Sequence, residues 1–109
     1  MTFKEYQALA RRTQNPDLNG HQRLLHALHG LSAEVGEIHS IYQKQYQGHS
    51  IDYDNLFKEI GDLCWFVAEF CDVMGVSLDS VAEQNIDKLR KRFPNGFDPE
   101  RSLHREEQA

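Results

Sequence analysis

The sequence predicts an all-α fold, a bundle of four helices, and three observations carry that prediction. Apolar residues recur at three- and four-residue intervals through most of the chain. No stretch alternates apolar and polar residues with period two for long enough to form a strand, and turn-forming clusters such as TQNPDLNG and QGHSIDYDN separate the periodic segments. At 109 residues the chain holds one core. Residues 1–97 are read as one helical domain and 98–109 as a polar tail, frayed beyond NGFDP.

The first helix opens at Thr2, a hydroxyl cap, and carries Phe3, Tyr6, Leu9 and Ala10 at helical spacing before TQNPDLNG breaks it. A second runs from about His21 to Tyr46, with Leu24, Leu25, Leu28, Leu31, Val35, Ile38, Ile41 and Tyr42 forming its apolar stripe. Gly30 and Gly36 cost this helix about 1 kcal/mol each relative to alanine, so they either loosen it or mark places where backbone or ligand comes close. The third helix, from about Tyr53 to Met74, is apolar over much of its circumference and is expected at the centre; Gly75 ends it. The fourth starts after a Ser77 cap, turns Val81, Ile86, Leu89 and Phe93 inward, and stops at Pro94.

Composition narrows the function classes. Twelve Lys and Arg against 17 Asp and Glu give a formal charge of -5, which argues against a broad nucleic-acid surface and its phosphate neutralisation. The N-terminus lacks a continuous apolar core and no segment offers 18 uninterrupted apolar residues, so neither secretion nor membrane spanning is expected. Cys64 and Cys71 lie seven apart, about 10 Å along a helix, too far to bond to each other. Buried thiols in a reduced, cytoplasmic protein are the expectation.

The chemistry concentrates in two acidic pairs. Glu34 and Glu37 lie in LSAEVGEIHS on the second helix, Glu59 and Asp62 in EIGD on the third, and three-residue spacing makes each pair neighbours on one face. A single helical carboxylate is ordinarily solvated. Here Leu31, Val35 and Ile38 flank one pair, and the other begins the most apolar helix. Four carboxylates converging from two helices would repel one another, a conflict that a hard divalent cation removes. A di-iron bundle needs Glu-x-x-His, and no glutamate has a histidine three residues later; oxygen-only ligation favours Mg2+ or Mn2+ over iron or zinc.

EVGE, then 21 residues, then EIGD resembles the E-x-x-E and E-x-x-D signature of the MazG-like, all-α nucleoside triphosphate pyrophosphohydrolases. The similarity runs from YQALARRT through GLSAEVGEI and FKEIGDLCWFVAEF to NIDKLRKRFPNGF, about residues 6 to 97. The resemblance implies Mg2+-dependent cleavage of a nucleoside triphosphate between the α and β phosphates, giving monophosphate and pyrophosphate, with Mn2+ as a substitute ion. It implies that Glu34, Glu37, Glu59 and Asp62 hold the metal, with Glu34 or Glu37 activating water. Lys44, seven residues after Glu37, fits a family position that is commonly basic, whereas Gln43 stands where relatives often have a second lysine. Asn85, Lys88 and Arg92 form one polar stripe on the fourth helix. By itself the stripe reads as helix solvation and complementarity to the C-terminal dipole; with the resemblance, Asn85 and Lys88 become substrate contacts, and Arg92 a further contact or a structural residue.

Trp65 and Phe66 follow the second acidic pair, and Phe66 stands where relatives often carry tyrosine; either ring suits a nucleobase, although core packing is the commoner use. His26 and His29, three apart, read as surface or interface histidines, and Glu69 and Asp72 as a secondary acidic pair or interface charges. Four short helices leave more apolar surface than one chain covers, and the resemblance implies a homo-oligomer, dimer or tetramer. The functional expectation is a nucleotide-pool house-cleaning enzyme acting on (deoxy)nucleoside triphosphates. The alternative is a non-catalytic helical dimer that binds metal or nucleotide as a regulator.

Overall fold

A computed structural model describes residues 1–104. They form five helices: α1 (Phe3–Arg11), α2 (Gly20–Gln45), α3 (Tyr53–Met74), α4 (Leu78–Arg92) and α5 (Pro99–Leu103). Among the described residues there is no strand, only an isolated bridge between Pro94 and Gly96, and no helix is long and apolar enough to cross a membrane.

Local chemistry sets the boundaries. Thr2 Oγ1 accepts from the Glu5 amide at 3.1 Å while Glu5 Oε1 accepts from the Thr2 amide at 3.2 Å, a reciprocal capping box. Asn19 and Gln22 repeat the device at the start of α2, at 2.9 and 3.0 Å. Asp52 caps α3 through the Asn55 amide, and Gly75 ends it in the left-handed region at φ +70°, where a side chain would be strained. Within the tail expected to fray, Pro99–Leu103 form the short helix α5, while residues 105–109 lie outside the described residues. Asp98 caps it, Pro99 presets its first turn, and Arg101 donates to the carbonyls of Arg92 at 2.6 Å and Lys91 at 3.0 Å.

The chain divides into two compact units, Met1–Leu78 and Asp79 onward. In the first, α3 packs against both α2 and α1, the central place its apolar circumference predicts. Small residues permit the closest approach: Ala27 on α2 and Ala68 on α3 are fully buried, and Gly30 lies under the ring of Phe66, whose Cε1 stands 2.2 Å from where a Cβ would be.

Asp72 joins α1, the α1–α2 loop and the end of α3. It accepts from Gln7 Nε2 at 2.8 Å, Arg11 Nη2 at 2.8 Å, Arg11 Nε at 3.1 Å and Gln14 Nε2 at 2.8 Å. Gln7 adds a bond to the Val76 carbonyl and accepts from the Leu78 amide. Burial pushes the Asp72 carboxyl up, but the hydrogen bonds from Arg11, Gln14 and Gln7 and the Arg11 charge outweigh it and hold the group below its ordinary range.

Periodicity identified residues sharing a face but not what covers that face. In the single chain Leu25, Leu28, Val35 and Tyr42 of α2 stay exposed. On α4, Val81 and Ile86, expected inward, are 40% and 46% exposed. On α2, a single neighbouring helix, α3, covers only part of a wide stripe. Cys71 is buried as expected, whereas Cys64 is exposed, and both are free thiols.

Gly30→Ala should therefore destabilise the protein by roughly 1–2 kcal/mol, because overpacking against a confined ring exceeds the helix propensity gained; denaturant melts check this, and Phe66→Leu in the same chain should recover part of the loss. Asp72 is depressed when folded, so its stabilisation is present above the ordinary carboxylate pKa and is lost as pH falls through the folded value. Asp72→Asn should lower Tm at neutral pH and flatten the acid limb of the Tm–pH curve.

Candidate functional site

Glu34 of α2 and Glu59 and Asp62 of α3 each direct a carboxylate oxygen to one place, and the three oxygens lie within 4.8 Å of one another. The register of the two helices brings them there. Pairing runs in opposite directions along the seam, with His26 against Glu69, Gly30 against Phe66 and Glu34 against Glu59 and Asp62. Each step moves about one turn along both helices.

Glu34 and Glu59 are half-buried, Asp62 is exposed, and Oε2 of Glu34 is buried without a hydrogen-bond partner. A hydrogen bond with Glu59, then burial, then the negative charges of Glu59, Asp62 and Glu37 push the Glu34 carboxyl up to about 7. No Lys or Arg forms an ion pair with these three carboxylates among the described residues. An all-oxygen donor set with an unsatisfied buried oxygen fits a hard divalent cation.

The other residues singled out from the sequence take varied positions. Glu37, one turn beyond Glu34, is exposed and outside the group of converging oxygens, so three of the four expected carboxylates come together. Lys44 is exposed near the end of α2. Asn85 and Lys88 are exposed and Arg92 is half-buried, all on α4 in the second unit.

Trp65 donates from Nε1 to Thr13 Oγ1 at 2.7 Å, and its ring meets Phe66 edge-on with centroids 5.2 Å apart. Phe66 also lies 5.6 Å from the His26 ring. Both aromatics are thus engaged along the seam that begins at the acidic group.

Sequence reasoning missed the pairing of His26 with Glu69. Glu69 is not an interface charge in the first unit: it is 1% exposed, and its Oε1 lies 2.6 Å from His26 Nδ1. The readable signal was a carboxylate on an apolar helix facing a histidine in antiparallel register. His26 itself and His29 are both exposed, as expected for surface residues.

The chain is 29% identical over 85 residues to the Gene 37 protein of Mycobacterium phage L5, covering 73% of this chain and 75% of that protein. No solved structure matches. The family profile described as MazG nucleotide pyrophosphohydrolase domain matches residues 21–97, which include α2 from its second residue, α3, α4 and all three converging carboxylates. Since that match takes in most of the chain, the protein belongs to the MazG nucleotide pyrophosphohydrolase domain family.

Proposed function

We propose that the protein is a nucleoside triphosphate pyrophosphohydrolase that uses Mg2+, with Mn2+ as a substitute, to cleave between the α and β phosphates and release monophosphate and pyrophosphate. The convergence of Glu34, Glu59 and Asp62, with no cationic side chain paired to them among the described residues, carries this reading.

Glu34, Glu59 and Asp62 hold the metal, and Glu37 completes the set or, from its exposed position, orients the attacking water and accepts its proton. The ion, when bound, offsets triphosphate charge and polarises the phosphoryl oxygens. The protein's own contribution is positioning and electrostatics, on which phosphoryl transfer chiefly depends. Lys44, Asn85, Lys88 and Arg92 supply the polar and basic contacts to substrate, and Trp65 and Phe66 the aromatic ones. The apolar side chains left exposed on α2, together with Phe57 and Ile60 on α3, support self-association as a dimer or tetramer. House-cleaning of the nucleotide pool in the cytoplasm, with no nucleic-acid partner, is the corresponding role.

Incubation with a panel of ribo- and deoxynucleoside triphosphates, with Mg2+ or EDTA, should give monophosphate and pyrophosphate only with metal. Binding without turnover of any of them would instead favour a regulatory scaffold. Glu59→Gln and Asp62→Asn should each reduce turnover by about 100-fold or more while preserving helicity by circular dichroism; full activity in either variant would refute this ligand set.

The raised pKa of Glu34 provides a separate check. Between the ordinary glutamate value and about 7 the metal-free folded state holds more protons than the unfolded one, so stability falls as pH rises through that window. Glu34→Gln in EDTA should therefore raise Tm at pH 8, by on the order of 1 kcal/mol of stability after solvent screening. Added Mg2+ should stabilise the wild type and not this variant.

A further inference from the structure

A second polar site occupies the opposite end of the first unit. A cavity of about 670 Å³ opens among α1, the α1–α2 loop, the start of α2 and the end of α3, within the size range of small-molecule pockets. Asp72 at its wall lies ten residues beyond Asp62, about 15 Å along α3, so the cavity is not the acidic group.

Its electrostatics reverse those of the chain. Within a protein of net charge -5, the cavity is lined by three cations, Lys4, Arg11 and Arg23, and one carboxylate, Asp72. Asp72 is already committed, since both of its oxygens accept two hydrogen bonds from Gln7, Arg11 and Gln14. Arg11 is the structural partner of that carboxylate. The remaining two cations are uncompensated: Lys4 and Arg23 form no ion pair among the described residues.

Arg23 is the more telling. Its Nη2 donates to the neutral Gln14 side chain, but its Nε is buried with no acceptor. A buried, charged donor left without a partner is costly. A planar guanidinium is also suited to bidentate contact with an oxyanion. Pro16, Leu18 and Val76 supply an apolar wall that an inorganic anion would not use.

We propose that this cavity is a metal-independent anion site that takes a phosphorylated small molecule, with Arg23 and Lys4 on the phosphate and the apolar wall against its organic part. The site is independent of the proposed catalysis at Glu34, Glu59 and Asp62. It stands or falls on binding alone.

The test is calorimetric titration of the full-length protein in EDTA, which leaves the acidic group without metal and repulsive to phosphate. Orthophosphate, pyrophosphate and a nucleoside monophosphate are titrated separately, so the arms distinguish a bare anion from an organic phosphate. Saturable binding is expected, strongest for the monophosphate. Arg23→Gln should weaken it by about tenfold, the equivalent of one charge-assisted hydrogen bond. Lys4→Ala, at an exposed position that cannot compromise folding, should weaken it several-fold, and Glu59→Gln should leave it unchanged. Absence of saturable binding by all three probes would overturn the proposal. So would affinity unaltered in Lys4→Ala, or affinity raised by Glu59→Gln through loss of a repelling charge, which would move the anion to the acidic group.

Discussion

The close approach of α2 and α3 is the constraint on which the rest depends. Ala27 and Ala68 are fully buried, and Gly30 gives up its Cβ to the face of Phe66. Glycine in mid-helix costs about 1 kcal/mol, a cost offset by the packing of a ring that alanine would displace. The register fixed there determines what meets on either side. One step toward the end of α2 brings Glu34 to Glu59 and Asp62, and one step toward its start brings His26 to Glu69. A slip of one residue would rotate each helix by about 100° and disperse both groups.

Much of this was legible in the residues. The four main helices follow from apolar spacing and from caps and breakers, because those signals act locally: Thr2 with Glu5, and Gly75 at positive φ, need nothing distant to operate. The short helix α5 was missed because its stability draws on Arg101 reaching back to the carbonyls of α4, a contact no local pattern announces. The acidic pairs were equally readable, since three-residue spacing on two helices places each pair on one face. What spacing does not determine is which carboxylate turns inward. Glu34 is half-buried and Glu37 exposed although they share a face, since a turn of helix separates them axially and only one lies level with α3's pair. Burial of Glu69, and exposure of Val81 and Ile86, likewise depend on what packs opposite.

The same acidic spacing occurs three times, at Glu34 and Glu37, at Glu59 and Asp62, and at Glu69 and Asp72, and the partners of each pair decide what it does. Asp72 is answered by Arg11 and two glutamine amides, and Glu69 by His26. The Asp72 charge is met from within the protein, and both carboxylates tie neighbouring elements to α3, although the second oxygen of Glu69, like that of Glu34, is buried without a partner. Glu34, Glu59 and Asp62 have no such answer. They meet one another, and the conflict is expressed in a Glu34 carboxyl pushed up to about 7 and an oxygen buried without a donor. A fold able to neutralise Asp72 so fully has the means to place a basic side chain ten residues earlier on the same helix. That three carboxylates converge there without one among the described residues is the physical reason to look for their counter-charge outside the chain, in a divalent cation, and it supports the proposed ligand set more directly than the spacing does.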